Sequence, residues 1–364
     1  MQELILIIGS DIKINGPFFN YILKDYVENF GSLADIKFIE TGAEIFKILE
    51  NLSLEYDKIT AYASSENFPL IAKIIASLTN DMLEIKDGFL TPTLAKKTSQ
   101  KSFVITLNKA LINLVEANPL DKLPKLLLDK SDDYTKFYIY GFEYESIKET
   151  FEELSSKFDM DIDITNYSKF IAFVKVKERK FGDMSSFLDE CKTLFKNKII
   201  FNKNLAEFVV TILKQKAQKI SFAESCTAGL IASKIGEISG ASDVFDGSVV
   251  TYANHIKNSW LGVSDEILQE NGAVSKECVL KMLEGALKMS GADYALAVSG
   301  VAGPTGGSDE KPVGTVFIGA MRRDKNVIVK RFLFSGDRNY IREESTNVAF
   351  SLLFEVGEFF KEIE

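Results

Sequence analysis

The chain has 364 residues, of which 46% are hydrophobic and 26% charged, a balance typical of globular proteins that excludes a disordered chain. Its 43 Lys and Arg residues against 52 Asp and Glu residues give a net charge of −9, which argues against bulk electrostatic binding of nucleic acid or of an anionic membrane. The single histidine, His255, excludes a multi-histidine zinc site, and a Ser-His-Asp triad would have to use it.

Cysteine content and hydropathy predict a soluble cytoplasmic protein. Cys191, Cys226 and Cys278 are dispersed and form no CxxC pair, as is typical of a reducing compartment. The first apolar run ends at Ile8 and is too short for a signal peptide, and no run reaches the ~20 residues of a membrane span.

Over residues 1–130, short apolar segments alternate with amphipathic helical segments. The predicted strands cover residues 4–8, 36–39, 58–62 and 102–107, and the predicted helices cover residues 18–27, 43–52 and 68–78. This alternation predicts an α/β domain with a largely parallel sheet.

The next segment, over residues 131–200, has a different order of elements. Residues 120–133 contain Pro124 and mixed charges and predict a linker. A strand over 136–140, a helix over 147–157, strands over 162–164 and 170–176, and a helix over 184–195 then predict a small α+β module.

From Asn202 the α/β pattern restarts and continues to residue 364. The predicted helices cover residues 205–216, 227–238, 276–289 (with Ser275 as N-cap) and 341–360, and the predicted strands cover 220–223, 248–252, 294–299, 314–321 and 327–334. Three domains are therefore expected: two three-layer α/β domains with largely parallel sheets, over 1–130 and 201–364, joined by the small α+β module over 131–200. Sixteen of the 23 glycines lie after residue 200, so this part is the better place to seek a site.

The segment AESCTAG, residues 223–229, leaves a predicted strand and opens a predicted helix. Free N–H groups at such a helix start suit an anion or a developing oxyanion. The alternative is an ordinary capped helix start, which Ser and Thr favour. Cys226 is expected to be a buried, inert thiol.

Ser242 and Lys257 are candidates for a nucleophile and its base. With histidine nearly absent, a serine needs another base, and a desolvated lysine can serve. Taken alone, a Ser and a Lys fifteen positions apart are more often solvated surface residues.

Two further segments suit a phosphate or an oxyanion. SGVAGPTGG, residues 299–307, holds four glycines in eight positions but matches neither a Walker A loop nor a GxGxxG fingerprint. Arg338, in Gly336-Asp337-Arg338, could bind a phosphate in fork geometry, and Arg342 follows one turn later. A flexible hairpin and a surface arginine are the alternatives.

Taken in order, these segments resemble the C-terminal domain of the CinA (competence/damage-inducible) family, which is similar to stand-alone nicotinamide-nucleotide amidohydrolases. The matching stretches are AESCTAG (223–229), VVTYANHIK (249–257), LGV (261–263), GAVS (272–275), SGVAGPTGG (299–307), KPVGTV (311–316) and GDR (336–338).

The resemblance implies hydrolysis of the carboxamide of nicotinamide mononucleotide to nicotinate mononucleotide and ammonia, with no cofactor and no metal. It assigns Ser242 as the nucleophile and Lys257 as the general base. The remaining catalytic positions are Ser225 and Tyr252, and the substrate-binding positions are Ser299, Gly300, Gly303, Arg338 and Thr227. Ser225 as nucleophile is a weaker alternative, and so is a non-catalytic nucleotide-binding or regulatory protein linked to competence or DNA damage. A homodimer is expected because family members commonly self-associate.

The chain departs from the family pattern in several places without losing a member of the dyad. The departures are Ala228 for Gly, Ala241 for Ser, Ala253-Asn254-His255-Ile256-Lys257 for Ser-Asn-Glu-Ala-Lys, and Thr305 for Asp. His255 is expected to be a partly exposed residue at a helix start.

The N-terminal part looks like a diverged version of the family's molybdopterin-binding-like domain. Ile59 to Pro69 stands where relatives carry glycines and paired aspartates, and those residues are absent here. Paired carboxylates would hold a divalent metal against phosphate. We therefore expect this domain to lack the metal-dependent ADP-ribose pyrophosphatase activity of some relatives.

Overall fold

The computed structural model describes residues 2–86, 88–129, 134–202, 204–324 and 326–356, and the chain divides into two compact units, residues 1–134 and 135–364. The predicted boundaries at 130 and 200 stay a prediction. Residues 130–133 of the predicted linker and 357–360 of the predicted last helix lie outside the described residues.

The first unit is an α/β fold around a six-stranded sheet. Its elements are β1 (Glu3–Ile8), α1 (Ser10–Ile14), α2 (Gly16–Phe30), β2 (Asp35–Ile39), α3 (Ile45–Glu55), β3 (Lys58–Ser64), α4 (Phe68–Leu78), β4 (Leu83–Lys86), β5 (Phe89–Pro92), β6 (Lys97–Ser99), β7 (Ser102–Leu107) and β8 (Ala110–Ala117). The sheet order is β2-β1-β3-β8-β7-β6, with the first four strands parallel and the last two antiparallel. Leu4, Leu6 and Ile8 face one core and Ile5 and Ile7 the other, so β1 is buried on both faces, as in a parallel sheet between helices.

The second unit begins with an α+β arrangement. Its elements are β9 (Thr135–Tyr140), α5 (Tyr144–Phe158), β10 (Met160–Ser168), β11 (Ile171–Glu178), α6 (Met184–Phe195) and β12 (Ile199–Ile200), after a 3-10 turn at Lys196–Lys198. The sheet order is β10-β11-β9-β12 with antiparallel neighbours. This β-α-β-β-α-β order is the split βαβ, ferredoxin-like arrangement.

A five-stranded sheet follows in the same unit. Its elements are α7 (Leu205–Gln215), β13 (Ile220–Glu224), α8 (Leu230–Gly236), β14 (Val249–Val250), α9 (Asn254–Leu261), α10 (Asp265–Glu270), α11 (Lys276–Ser290), β15 (Tyr294–Gly300), β16 (Thr315–Arg322), β17 (Val327–Leu333) and α12 (Arg338–Leu353), with a 3-10 turn at Ala241–Asp243. The sheet order is β14-β13-β15-β16-β17. The first three strands are parallel, and β16 and β17 are antiparallel because a short turn joins them.

Local sequence explains where the helices around this sheet begin and end. The predicted N-cap Ser275 accepts a hydrogen bond from the N–H of Cys278, and Asp337 caps α12 by accepting from Tyr340. Gly262 and Gly291 end α9 and α11 in the left-handed conformation that glycine tolerates. Within the described residues, no helix is long and apolar enough to cross a membrane.

Candidate active site

The three parallel strands of the five-stranded sheet bring polar residues to one edge. Glu224 at the end of β13 lies opposite Val250 and Val298. The N–H of Ser225 donates to the carbonyl oxygen of Val298 at 2.9 Å, and the N–H of Thr251 donates to that of Glu224 at 2.8 Å. Residues just past the carboxyl ends of parallel strands form the usual ligand site of an α/β sheet.

Lys257 points its amine at this edge. Only 1% of the residue is exposed, and its Nζ donates to the carbonyl oxygens of Thr251 at 2.7 Å and Tyr252 at 3.1 Å. Burial lowers the pKa of Lys257, an effect opposed by the thiols of Cys278 and Cys226. A lowered pKa favours the neutral amine, the form that can accept a proton, which is the property expected of a general base.

Helix α9, which carries Lys257, lies close against α11. A Cβ atom added to Gly285 of α11 would lie 2.4 Å from the carbonyl oxygen of Leu261, the last residue of α9. The absence of a side chain at Gly285 therefore lets the two helices approach at this point.

Ser225 opens a turn rather than a helix. The predicted helix start at Thr227 is wrong, because α8 begins at Leu230, and residues 225–229 form a turn in which Ala228 and Gly229 have positive φ. The N–H of Ala228 donates to the carbonyl oxygen of Ser225 at 3.1 Å, so the main chain of Ser225 is held on both sides. We call residues 225–229 the serine turn.

The helix start behind the serine turn is occupied by a residue that the sequence analysis missed. Glu224 is fully buried, its Oε2 accepts from the N–H groups of Gly229 and Ile231 at 2.9 and 3.1 Å, and its Oε1 accepts from Ala232 at 3.0 Å. These N–H groups are therefore engaged by the protein's own carboxylate and do not face a ligand. The available signal was an acidic residue before a helix, which favours the positive end of its dipole.

Cys226 is inert, as expected. Burial raises the pKa of its thiol to about 12, so it stays protonated near neutral pH. The positive charges of Lys257 and Arg338 act on it in the opposite direction. Within the described residues, no group of three His, Cys, Asp or Glu side chains is placed to hold a metal ion.

Two arginines of α12 hold the loops of this edge. The Arg338 guanidinium donates from Nη1 to the carbonyl oxygen of Gly303 at 2.7 Å and from Nη2 to the hydroxyl of Tyr252. Arg342, which was not among the assigned site residues, donates from Nη2 to the carbonyl oxygen of Thr227 at 2.8 Å. The structure thus brings Arg338, Tyr252 and Gly303 together and fixes the serine turn through Arg342.

Close packing explains two of the glycines in residues 299–307, which we call the glycine segment. A Cβ atom at Gly300 would lie 2.8 Å from the carbonyl oxygen of Thr315, and one at Gly303 would lie 2.5 Å from the Val313 side chain. Ser299, the residue after Val298 on β15, is buried and donates to the carbonyl oxygen of Ala273 at 2.7 Å. Gly300 therefore permits close strand packing, which does not require a ligand.

Ser242 lies at the opposite end of the sheet, which corrects the expected contact with Lys257. Ser242 is exposed in the 3-10 turn after α8, and two residues later the carbonyl oxygen of Val244 accepts from the N–H of Ile220, the first residue of β13. Because α8 runs back along the sheet, the residues after it return to the start of β13, about 13 Å from its end at ~3.3 Å per residue. The predicted Ser242–Lys257 contact does not form within one chain.

Three buried hydroxyls near this edge lack partners in the described part of the chain. Thr227, Thr251 and Thr315 are fully buried, and no hydrogen bond reaches their Oγ1 atoms. Buried hydroxyls are normally satisfied, so these atoms favour the presence of a water or ligand nearby.

The expectation for His255 is confirmed, since it is an exposed residue in the first turn of α9.

Comparisons with known proteins agree on one family. Residues 202–356 match the CinA C-terminal domain family model. The chain is 41% identical over 220 residues to a CinA-like protein of Thermosipho melanesiensis, covering 58% of this chain and 53% of that protein. It is 36% identical over 292 residues to a putative competence-damage inducible protein of Caldicellulosiruptor saccharolyticus, covering 79% of this chain and 64% of that protein.

A solved structure is similar to part of the chain. The crystal structure of competence/damage inducible protein CihA from Agrobacterium tumefaciens is 42% identical, covers 42% of this chain and 92% of that chain, and has a TM-score of 0.41. The chain spans about half the length of the Thermosipho relative. The domain match and the two relatives agree with the segments found in the sequence, and residues 202–356 belong to the CinA C-terminal domain family.

Proposed function

We propose that residues 201–364 hydrolyse the carboxamide of nicotinamide mononucleotide to nicotinate mononucleotide and ammonia. The observation that carries the proposal is Lys257, a buried lysine whose pKa is lowered and whose amine is fixed at the carboxyl edge of the sheet. The match of residues 202–356 to the CinA C-terminal domain supports the substrate class.

The geometry favours Ser225 over Ser242 as the nucleophile within one chain. Ser225 follows β13 at the edge where Lys257 lies, and its neighbour Cys226 is close enough to Lys257 for the two charges to interact. Ser242 lies at the other end of β13. We therefore assign the nucleophile to Ser225.

In the proposed reaction, the neutral amine of Lys257 accepts the Ser225 hydroxyl proton as Oγ attacks the carboxamide carbon. The resulting ammonium returns the proton to the leaving nitrogen as the C–N bond breaks, which releases ammonia and leaves an acyl ester on Ser225. Lys257 then accepts a proton from water, which attacks the ester and frees nicotinate mononucleotide and the serine hydroxyl. Arg338 supplies charge for the nucleotide phosphate, as a guanidinium suits phosphate oxygens.

The test is ammonia release from nicotinamide mononucleotide by the full chain and by Ser225→Ala, Lys257→Met and Ser242→Ala variants. We expect Ser225→Ala and Lys257→Met to lose at least about a thousand-fold in kcat/KM, and Ser242→Ala to stay near wild type. A silent wild-type enzyme contradicts the amidase and favours a regulatory nucleotide-binding protein. Loss in Ser242→Ala with retention in Ser225→Ala contradicts the Ser225 assignment and indicates that a second copy supplies Ser242.

We also propose that the protein is cytoplasmic and homodimeric, and that its N-terminal domain lacks ADP-ribose pyrophosphatase activity. The hydrogen bonds at the end of β3 support the last point. Asn67 donates to the hydroxyl of Ser64, and Ser65 donates to Oε1 of Glu116, which also accepts from Lys101. The polar groups here are thus bonded within the protein, where relatives carry paired aspartates. Metal-dependent turnover of ADP-ribose by the full chain would contradict this proposal.

A further inference from the structure

Three consecutive residues of α12 contact three different parts of the second unit. Arg342 donates to the carbonyl oxygen of Thr227 in the serine turn at 2.8 Å. Glu343 lies 3.5 Å from Nζ of Lys234 on α8. The Oε2 atom of Glu344 accepts a hydrogen bond at 2.9 Å from the hydroxyl of Ser168 at the end of β10. One turn of α12 therefore joins the serine turn to the four-stranded sheet.

The contact between Glu344 and Ser168 is buried. Only 8% of Glu344 and 6% of Ser168 is exposed. A carboxylate removed from water is costly unless it keeps hydrogen-bond partners, so the Ser168 hydroxyl has a specific place opposite it. Aromatic packing continues this junction, because the ring of Tyr140 on β9 meets that of Phe354 edge-on with 5.0 Å between centroids. The four-stranded sheet thus fixes α12 by both polar and apolar contacts.

The N-terminal end of the same helix holds the other side of the candidate site. Arg338 bonds the carbonyl oxygen of Gly303 in the glycine segment and the hydroxyl of Tyr252 after β14. With Arg342 on Thr227, α12 contacts main-chain atoms of two site loops. A packed helix moves as a unit, so a shift at Glu344 would move both arginines.

We propose that the four-stranded sheet positions the active site through α12, with Ser168 and Glu344 as the positioning residues. Neither residue touches the reacting atoms in the proposed reaction. Their contact sets the place of α12 and thereby the guanidinium groups of Arg338 and Arg342. The catalytic consequence of this proposal rests on the proposed amidase function, whereas the coupling between the sheet and the site loops does not.

The test compares Ser168→Ala with Ser155→Ala in the full chain, because both remove one serine hydroxyl from the same four-stranded arrangement. The Ser155 hydroxyl donates to the carbonyl oxygen of Met160 at 2.8 Å and does not bond α12. The first readout is hydrogen exchange, without ligand, at the amides of residues 225–229 and 338–343. We expect faster exchange at both segments in Ser168→Ala and wild-type exchange in Ser155→Ala.

The second readout is the kinetics with nicotinamide mononucleotide. We expect Ser168→Ala to raise KM about five-fold with a smaller change in kcat, and Glu344→Gln, which keeps a carbonyl acceptor, to stay close to wild type. Equal exchange in the two alanine variants overturns the coupling, and faster exchange with unchanged KM overturns its role in the site. A wild-type enzyme without amidase activity contradicts the proposed function, while the exchange comparison still decides the coupling.

Discussion

The carbonyl oxygen of Thr251 accepts a hydrogen bond from Nζ of Lys257 at 2.7 Å, so the residue that follows β14 holds the amine of the proposed base. A carbonyl oxygen accepts from a neutral amine as well as from an ammonium, and it adds no full negative charge that would favour the protonated form. The lowered pKa of Lys257 follows from burial among such neutral groups.

The pH dependence of the proposed amidase reaction should follow the protonation of Lys257. Because the pKa of Lys257 is lowered by burial and the neutral amine is the active form, kcat/KM should rise with pH through that pKa and then level off. The measurement is kcat/KM for nicotinamide mononucleotide between about pH 6 and pH 10. A rate that falls as pH rises across this range would contradict a lysine base.

Lys257→Met should change how stability depends on pH. Between the lowered pKa of folded Lys257 and the ordinary pKa of the unfolded chain, the unfolded state binds more protons, so the stability of the wild type rises with pH in that window. The variant lacks this contribution. Urea unfolding at several pH values measures the free energy of unfolding of both proteins. The difference, wild type minus variant, should increase as pH rises towards about 10.4. A difference that does not change with pH would contradict a lowered pKa of Lys257.

Glu224→Gln should destabilise the second unit. Both carboxylate oxygens of Glu224 accept hydrogen bonds from main-chain N–H groups, and a glutamine would place its NH2 group opposite at least one of these donors. Losing a hydrogen bond to a buried group costs about 1–3 kcal/mol. Urea unfolding measures the change. Glu237→Gln, at the half-exposed residue that follows α8, is the control and should change the free energy of unfolding by less than about 0.5 kcal/mol.

Gly300→Ala should lower stability by about 1–3 kcal/mol, because the added methyl group would overlap the main chain of Thr315 and the side chain of Val316. Gly247→Ala is the matched control, since a methyl group there meets no atom within 4 Å. Thermal unfolding of both variants makes the comparison, and equal midpoints would show that β15 and β16 separate at little cost.

His255→Glu should keep full amidase activity. His255 is exposed in the first turn of α9, where a carboxylate interacts favourably with the positive end of the helix dipole by about 0.3–1 kcal/mol. A kcat/KM more than about ten-fold below wild type would indicate that His255 contributes to the site.

Much of the second unit could be predicted from periodicity and caps. The strands around Ile220 and Tyr294 and the helix capped by Ser275 lie where apolar runs and capping residues place them. In the first unit, β8 was missed because only Asn108 and Lys109 separate it from β7, and the turn depends on Asn108 at positive φ rather than on a glycine.

The separation of Ser242 from Lys257 within one chain has a topological cause. In a parallel sheet, residues after a strand lie at one end and residues after a helix lie at the other. Lys257 follows a strand and Ser242 follows a helix, so the order of elements along the chain already places the two residues at opposite ends of the sheet. Glu224 was missed for a different reason, because a fully buried carboxylate runs against the usual exposure of acidic residues, and only tertiary contacts explain it.

The candidate site depends on Gly285, although this residue contributes no polar side chain to it. The residue has no functional group, yet any side chain larger than hydrogen at position 285 would press on the carbonyl oxygen of Leu261 at the end of α9. The pKa of Lys257 depends on how deeply its amine is buried, and part of the surroundings of that amine comes from the neighbouring helix α11, which carries Cys278. Attempts to graft the serine turn and Lys257 onto another scaffold would therefore have to carry α11 with them.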